Sequence, residues 1–324
     1  MKRLSIAAIG LLTALAGPAL AQQDSYPSRA ITWVVPFTPG GLADIGARTV
    51  GKVLSEKIGQ TIVIENKPGA GAIVGAETVA RAKPDGYTLF YGSSGPMGSN
   101  VSMYKNLSYD PLKSFVAVHG IAISPVIIAT NPSKPYTTLK ELIEHARKNP
   151  GKLNYSSVGV GSTQHLAGEL LQLEAGIKMV HIPYKGSAPA ANDVLTGTID
   201  VMIDNAIPIK PLIEAGKIRP LVVLAPKRLP ILPDVPTSAE LGYPNVLMSS
   251  WSSAALPAGT PQAIVDRLAQ AMNDAVNDPS IVKYYEDNGS IVMKDASKEK
   301  LTEFYKAEIA KFRKVIEASG ATAE

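Results

Sequence analysis

Between residues 30 and 91 the chain alternates short apolar runs with longer stretches of mixed polarity: strands at 30–35, 61–64 and 88–91, helices at 42–58 and 73–82. Short strands separated by helices predict a parallel sheet with crossover connections. In the first helix Leu42, Ile45, Val50, Val53, Leu54 and Ile58 form an apolar stripe, with Arg48, Lys52 and Glu56 elsewhere, so the stripe is expected on the sheet. A Ser/Gly/Asn-rich stretch at 92–100 and the segment 104–115 lead to an apolar run at 116–130, after which the alternation restarts. Helices at 138–148, 163–175 and 189–195 interleave with strands at 152–156, 179–183, 200–204 and 221–224. Past a proline-rich span at 226–236 comes a strand at 248–256, and three helices close the chain. One, at 261–277, spaces Ile264, Leu268, Met272 and Val276 by four; the last, at 298–318, lines up Leu301, Tyr305, Ile309, Phe312 and Ile316.

The pattern predicts two α/β lobes and a return of the C-terminal part to the first: lobe 1 from 24–123 and 248–324, lobe 2 from 124–247. A chain that crosses twice leaves a cleft between lobes, a preferred place for a ligand.

Composition narrows the class. Met1-Lys2-Arg3, an apolar run to about Gly17, and Ala19-Leu20-Ala21 read as a secretory signal peptide over residues 1–21, so the protein is expected to be exported. Removing 21 of 324 residues leaves 303, and losing Lys2 and Arg3 takes the formal charge from +4 to +2. So small a charge, with no basic run, argues against nucleic acid. Cysteine is absent and the four histidines lack metal-binding spacing, so no thiol nucleophile, metal or cofactor is expected.

Ligands of open parallel sheets bind beyond the carboxyl ends of the strands, which directs attention to four strand-to-helix loops. These hold Phe37-Thr38-Pro39-Gly40-Gly41, then Ser93-Ser94, then Ser157 to Thr163 with Gly159, Gly161 and Ser162, and finally Lys185-Gly186-Ser187. Each brings small or hydroxylated residues to the start of a helix, where unpaired N–H groups and the positive dipole end favour an anion. Turns and helix caps use the same residues without any ligand. Asp44, in the first turn of its helix, is expected mainly to serve that helix; Asp204 and Asn205, ending a strand, are candidate polar contacts in the cleft, and His165 a contact at a helix start.

Two enzymatic readings compare poorly. Gly69, Gly71 and Gly75 miss the dinucleotide spacing by one residue, and no phosphate-loop motif exists. Ser162 and His165 suggest a secreted serine hydrolase, but a G-x-S-x-G elbow is missing.

Six ordered blocks carry a more specific signal: Pro36 to Gly41 with Asp44, Glu65 to Gly71, Pro84 to Leu89, His165 to Glu169, Pro183 to Gly186, and Leu232 to Thr237. Together they resemble the tripartite tricarboxylate transporter substrate-binding proteins, also called Bug proteins, from about Tyr26 to the C-terminus. The resemblance implies a two-lobe periplasmic binding protein of type II, each lobe a mixed, mostly parallel sheet flanked by helices, closing like a flytrap. It further implies a monomeric, non-catalytic protein that binds an organic carboxylate through backbone amides and waters and hands it to membrane permease subunits. The matching positions are Thr38 to Gly41 and Ser157 to Thr163, with Ser93, Ser94, Asp204 and Asn205 left for the far end of the ligand. Leu42 departs from the small residue frequent there, which favours a dicarboxylate, an aromatic one such as terephthalate included, over a branched tricarboxylate, and leaves an amino acid or a monocarboxylate such as nicotinate open.

Overall fold

A computed structural model describes residues 26–323, and the expected signal peptide lies outside them. Strand β1 (Ile31–Val35) leads through the 36–41 loop into helix α1 (Leu42–Ile58), which ends on Gly59 in the left-handed conformation. Then follow β2 (Ile62–Asn66), α2 (Ile73–Ala80) and β3 (Thr88–Ser93). β1 runs parallel to both β2 and β3, as the alternation predicts. The buried face of α1 is Ala47, Val50, Leu54 and Ile58; Leu42 is only half-buried and Ile45 is 39% exposed. The expected stripe therefore begins a turn later, because at 100° per residue Leu42 and Ile45 point away from the line through Val50 and Leu54.

After the short helix α3 (Asn100–Met103), β4 (Phe115–Thr130) runs unbroken for 16 residues and changes partners along its length. Its first part, to Pro125, pairs antiparallel with β9 (Ser249–Pro257), itself bound to β3. Its last part, from Val126, pairs with β7 (Val201–Asn205) and β8 (Arg219–Val223). The second lobe is completed by α4 (Leu139–Lys148), β5 (Asn154–Ser157), α5 (Thr163–Ala175), β6 (Val180–Pro183), α6 (Ser187–Leu195) and α7 (Ala206–Glu214), with β5 parallel to β6 and β7. The chain returns at Ser249, opposite Pro125, so β4 and β9 are the two crossings of a two-lobed α/β protein.

Helix α7 is not among the elements that the polarity pattern predicts, and it carries Pro208 and Pro211. Pro208 sits in the first turn, where N–H groups have no intrahelical partner, so only Pro211 removes a helical bond. The chain ends with α8 (Gln262–Val276), α9 (Pro279–Asp287), the short β10 (Ile291–Val292) beside β4, and α10 (Lys298–Ser319). α10 belongs to both cores: Leu301 and Tyr305 pack with Trp251 and Phe90, whereas Phe312, Val315 and Ile316 pack with Val126 and Leu166 of the second lobe. Helix α5 lies close on its sheet because Gly168 has no side chain; a Cβ there would meet the Tyr155 ring at 2.3 Å.

Candidate functional site

The first loop is held from beneath by Asp44, only 3% exposed. Its carboxylate accepts from the Gly40 amide at 2.9 Å, from Arg48 Nε at 3.0 Å and from Asn66 Nδ2 at 3.0 Å, and Asn66 Nδ2 also donates to the Phe37 carbonyl. Burial works against its charge most strongly, yet the bonds from Arg48, Gly40 and Asn66 together hold its pKa below the ordinary value. Gly40 stands at φ +80°, a conformation suited to glycine, and its N–H is committed to Asp44. What the loop offers outward comes next: Gly41 caps α1 in extended conformation, without a side-chain cap, and the first-turn amides after it have no intrahelical acceptor. Thr38, Pro39, Gly40 and Gly41 are exposed and Phe37 is half-buried.

In the second lobe the 157–163 loop is braced internally. Ser157 Oγ lies 2.6 Å from His181 Nε2 and accepts from the Gly159 amide at 3.1 Å. The Gly161 amide donates to His165 Nδ1 at 3.1 Å, and Ser162 caps α5 by accepting from the His165 amide at 3.2 Å. His165 stacks on His181 with centroids 3.9 Å apart, and Tyr155 also stacks on His181, at 5.0 Å. Burial pushes the His165 pKa down to about 4; burial and the neighbouring His165 push that of His181 down to about 3, so both rings are neutral at pH 7.

The lobes meet at two of these positions. Ser94 Oγ and Thr163 Oγ1 are 2.8 Å apart, and Ser99 Oγ donates to the Gly161 carbonyl at 2.9 Å. Ser93, at the end of β3 opposite Ser252, has a buried hydroxyl with no partner in the protein. The 37–41 loop bonds within its own lobe, to Asp44 and Asn66. Asp204 is buried at the end of β7, where it accepts from the Asn205 amide at 2.8 Å, from Gln164 Nε2 at 3.3 Å and from Ser187; burial raises its pKa to about 6 despite these bonds. Asn205 is fully buried among protein partners. Two surface grooves of about 450 and 460 Å³ lie outside this region, one on α1 and β2, the other between α4 and α5. Among the described residues no cluster of three or more His, Cys, Asp or Glu could hold a metal, and no helix is long and apolar enough to cross a membrane.

Comparison with known proteins decides the family. The sequence model of the "Tripartite tricarboxylate transporter family receptor" matches residues 46–321. The chain belongs to this family. One relative is Protein BugT of Bordetella pertussis, 35% identical over 98% of this chain and 97% of its own. Rpa4515 of R. palustris, solved with adipate, is 37% identical with a TM-score of 0.86 over 92% of this chain and 99% of its own. MatC (Rpa3494) from Rhodopseudomonas palustris, solved with malate, is 31% identical with a TM-score of 0.83 over 90% and 100%.

As a receptor of this family, the chain uses its hydrolase-like residues otherwise. The Ser162 hydroxyl caps α5 and His165 Nδ1 takes the Gly161 amide, so the two side chains do not pair with each other. The serine that does meet a histidine is Ser157, which is 1% exposed. Residues that the loop argument passed over include Asn66, Ser99, His181, Gln164 and Ser250. Asn66 stood inside the Glu65 to Gly71 block and could have been weighed with it. Gln164 and Ser250 gain importance only through partners 41 and 45 positions away.

Proposed function

We propose that this receptor works in the periplasm as a monomeric, non-catalytic binder of an organic carboxylate, which it delivers to the membrane permease subunits of a tripartite transporter. The observation that carries the reading is the pair of helix N-termini, α1 behind Gly41 and α5 behind Ser162, set in loops of opposite lobes. First-turn amides without an intrahelical acceptor, at a positive dipole end, suit a carboxylate, and charge-assisted hydrogen bonds of roughly 1.5–3 kcal/mol each make micromolar binding attainable without arginine. Adipate and malate, the molecules held by Rpa4515 and MatC, are both dicarboxylates. They support a dicarboxylate here, and half-buried Leu42 beside the loop favours a slim or flat one, terephthalate included.

Melting temperature against a panel of mono-, di- and tricarboxylates tests the reading. A true ligand at 100 times its dissociation constant stabilises the native state by about 2.7 kcal/mol. A panel without any shift overturns it.

A further inference from the structure

Asn205 ends β7 and is completely buried. Its Nδ2 donates to the Ser124 carbonyl at 2.7 Å and to the Pro125 carbonyl at 3.2 Å, and its Oδ1 accepts from Ser250 Oγ at 3.0 Å and from Gln164 Nε2 at 2.9 Å. A side-chain amide has two N–H donors and an oxygen with two lone pairs, so this one has no capacity left for a ligand. Its partners occupy three distinct places. Ser124 and Pro125 are where β4 passes from one sheet to the other; Ser250 is one residue past the return of the chain into β9; and Gln164 lies in the first turn of α5. Gln164 follows Thr163, whose hydroxyl reaches Ser94 in the first lobe.

In a two-lobed protein joined by two strands, closure must be absorbed at the crossings, by changes in a few backbone dihedrals. A single amide that grips both crossings and the base of a cleft loop lies between the place where the lobes meet and the place where they turn. We propose that Asn205, with Gln164, is a hinge latch: a positioning residue that ties the 157–163 loop to the crossing strands, so that ligand contact at the loop and rotation of the lobes occur together. The proposal rests on reading the cleft as the ligand site. No ionisable side chain makes any of the four bonds, and Gln164 Nε2 is shared with Asp204 Oδ1 at 3.3 Å.

Two measurements separate this proposal from the reading it rests on. The first needs no ligand. In the free protein, Gln164→Leu keeps the side-chain size but removes the donor, and hydrogen exchange at the Val126 and Met248 amides, which bond to the Met248 and Leu224 carbonyls beside the crossings, should quicken about tenfold. Unchanged protection at both amides overturns the latch. The second uses adipate and calorimetry on the wild type, Gln164→Leu, Asn205→Ala and the double variant. Each single substitution should weaken adipate about tenfold, the double variant should be no weaker than the worse single, and adipate-induced compaction by small-angle scattering should shrink. Full affinity in a folded Asn205→Ala, or losses that multiply in the double variant, overturns the latch. A wild type that binds no carboxylate overturns the cleft reading instead, while the exchange experiment still judges the latch.

Discussion

Acid should weaken the second lobe through its stacked histidines. His165, 6% exposed, and His181 have folded pKa values pushed down to about 4 and about 3, against 6.5 for free histidine. A histidine whose pKa is depressed on folding leaves stability intact above 6.5 and removes it as pH falls, because below 6.5 the unfolded chain takes up protons that the folded one refuses. From pH 7 to pH 5, His165 alone should cost about 2 kcal/mol. His181 lies nearer solvent, which screens part of its penalty, and adds about 1 kcal/mol. His119, buried in the first lobe with its pKa also lowered chiefly by burial, acts in the same direction. Asp204 opposes them: its pKa is raised to about 6, so the folded state gains a proton first as pH falls and recovers about 1 kcal/mol by pH 5. The net loss is about 2 kcal/mol, or roughly 4 °C in melting temperature for a chain of this size. Urea unfolding followed by circular dichroism at pH 7 and pH 5 measures it. His165→Gln should remove most of the loss; an equal loss in that variant would refute the assignment to this pair.

Three further outcomes follow from the packing. Asp44→Ala leaves the Gly40 amide and Arg48 without their acceptor, and should lower stability by about 1–3 kcal/mol with a parallel loss of carboxylate affinity, read by denaturation and calorimetry. Phe312→Ala, in a fully buried position where α10 packs on the second lobe, should cost about 3–5 kcal/mol in urea unfolding. Asp204→Asn should raise stability at pH 7 by about 1 kcal/mol and make the fall from pH 7 to pH 5 steeper, since a buried acid that resists ionisation is replaced by a neutral amide.

Much of the fold follows from features that lie close together along the chain. Helices α1 and α5 begin directly after Gly41 and Ser162, their N-terminal caps, and both sets of bounds agree with the polarity pattern. Local rules failed where position within an element reverses a residue's meaning, as for Pro208 at the start of α7. They do indicate that the apolar run at 116–130 carries the chain from one lobe to the other, but not which strands it pairs with, because a strand's partners are set by tertiary packing. The candidate site shows the same division. Its loops are legible as glycine and serine before helices, but which amides stay free is not, since the acceptor for Gly40 depends on how Asp44 is buried. Bonds such as Ser94 to Thr163, 69 positions apart, exist only once the lobes are assembled.

The most direct test of the backbone carboxylate clamp is Gly41→Pro. Gly41 already has φ −85°, close to proline's own value, and a Cβ there would meet nothing nearer than the Thr38 carbonyl at 3.7 Å. The substitution removes the Gly41 N–H, which precedes the first-turn amides of α1, whereas proline at Gly40 would also break the bond to Asp44. Calorimetric titration with the carboxylate that best stabilises the wild type should show affinity falling by roughly tenfold or more at unchanged melting temperature, as expected for one lost charge-assisted hydrogen bond. Full affinity in a folded Gly41→Pro protein would contradict the clamp.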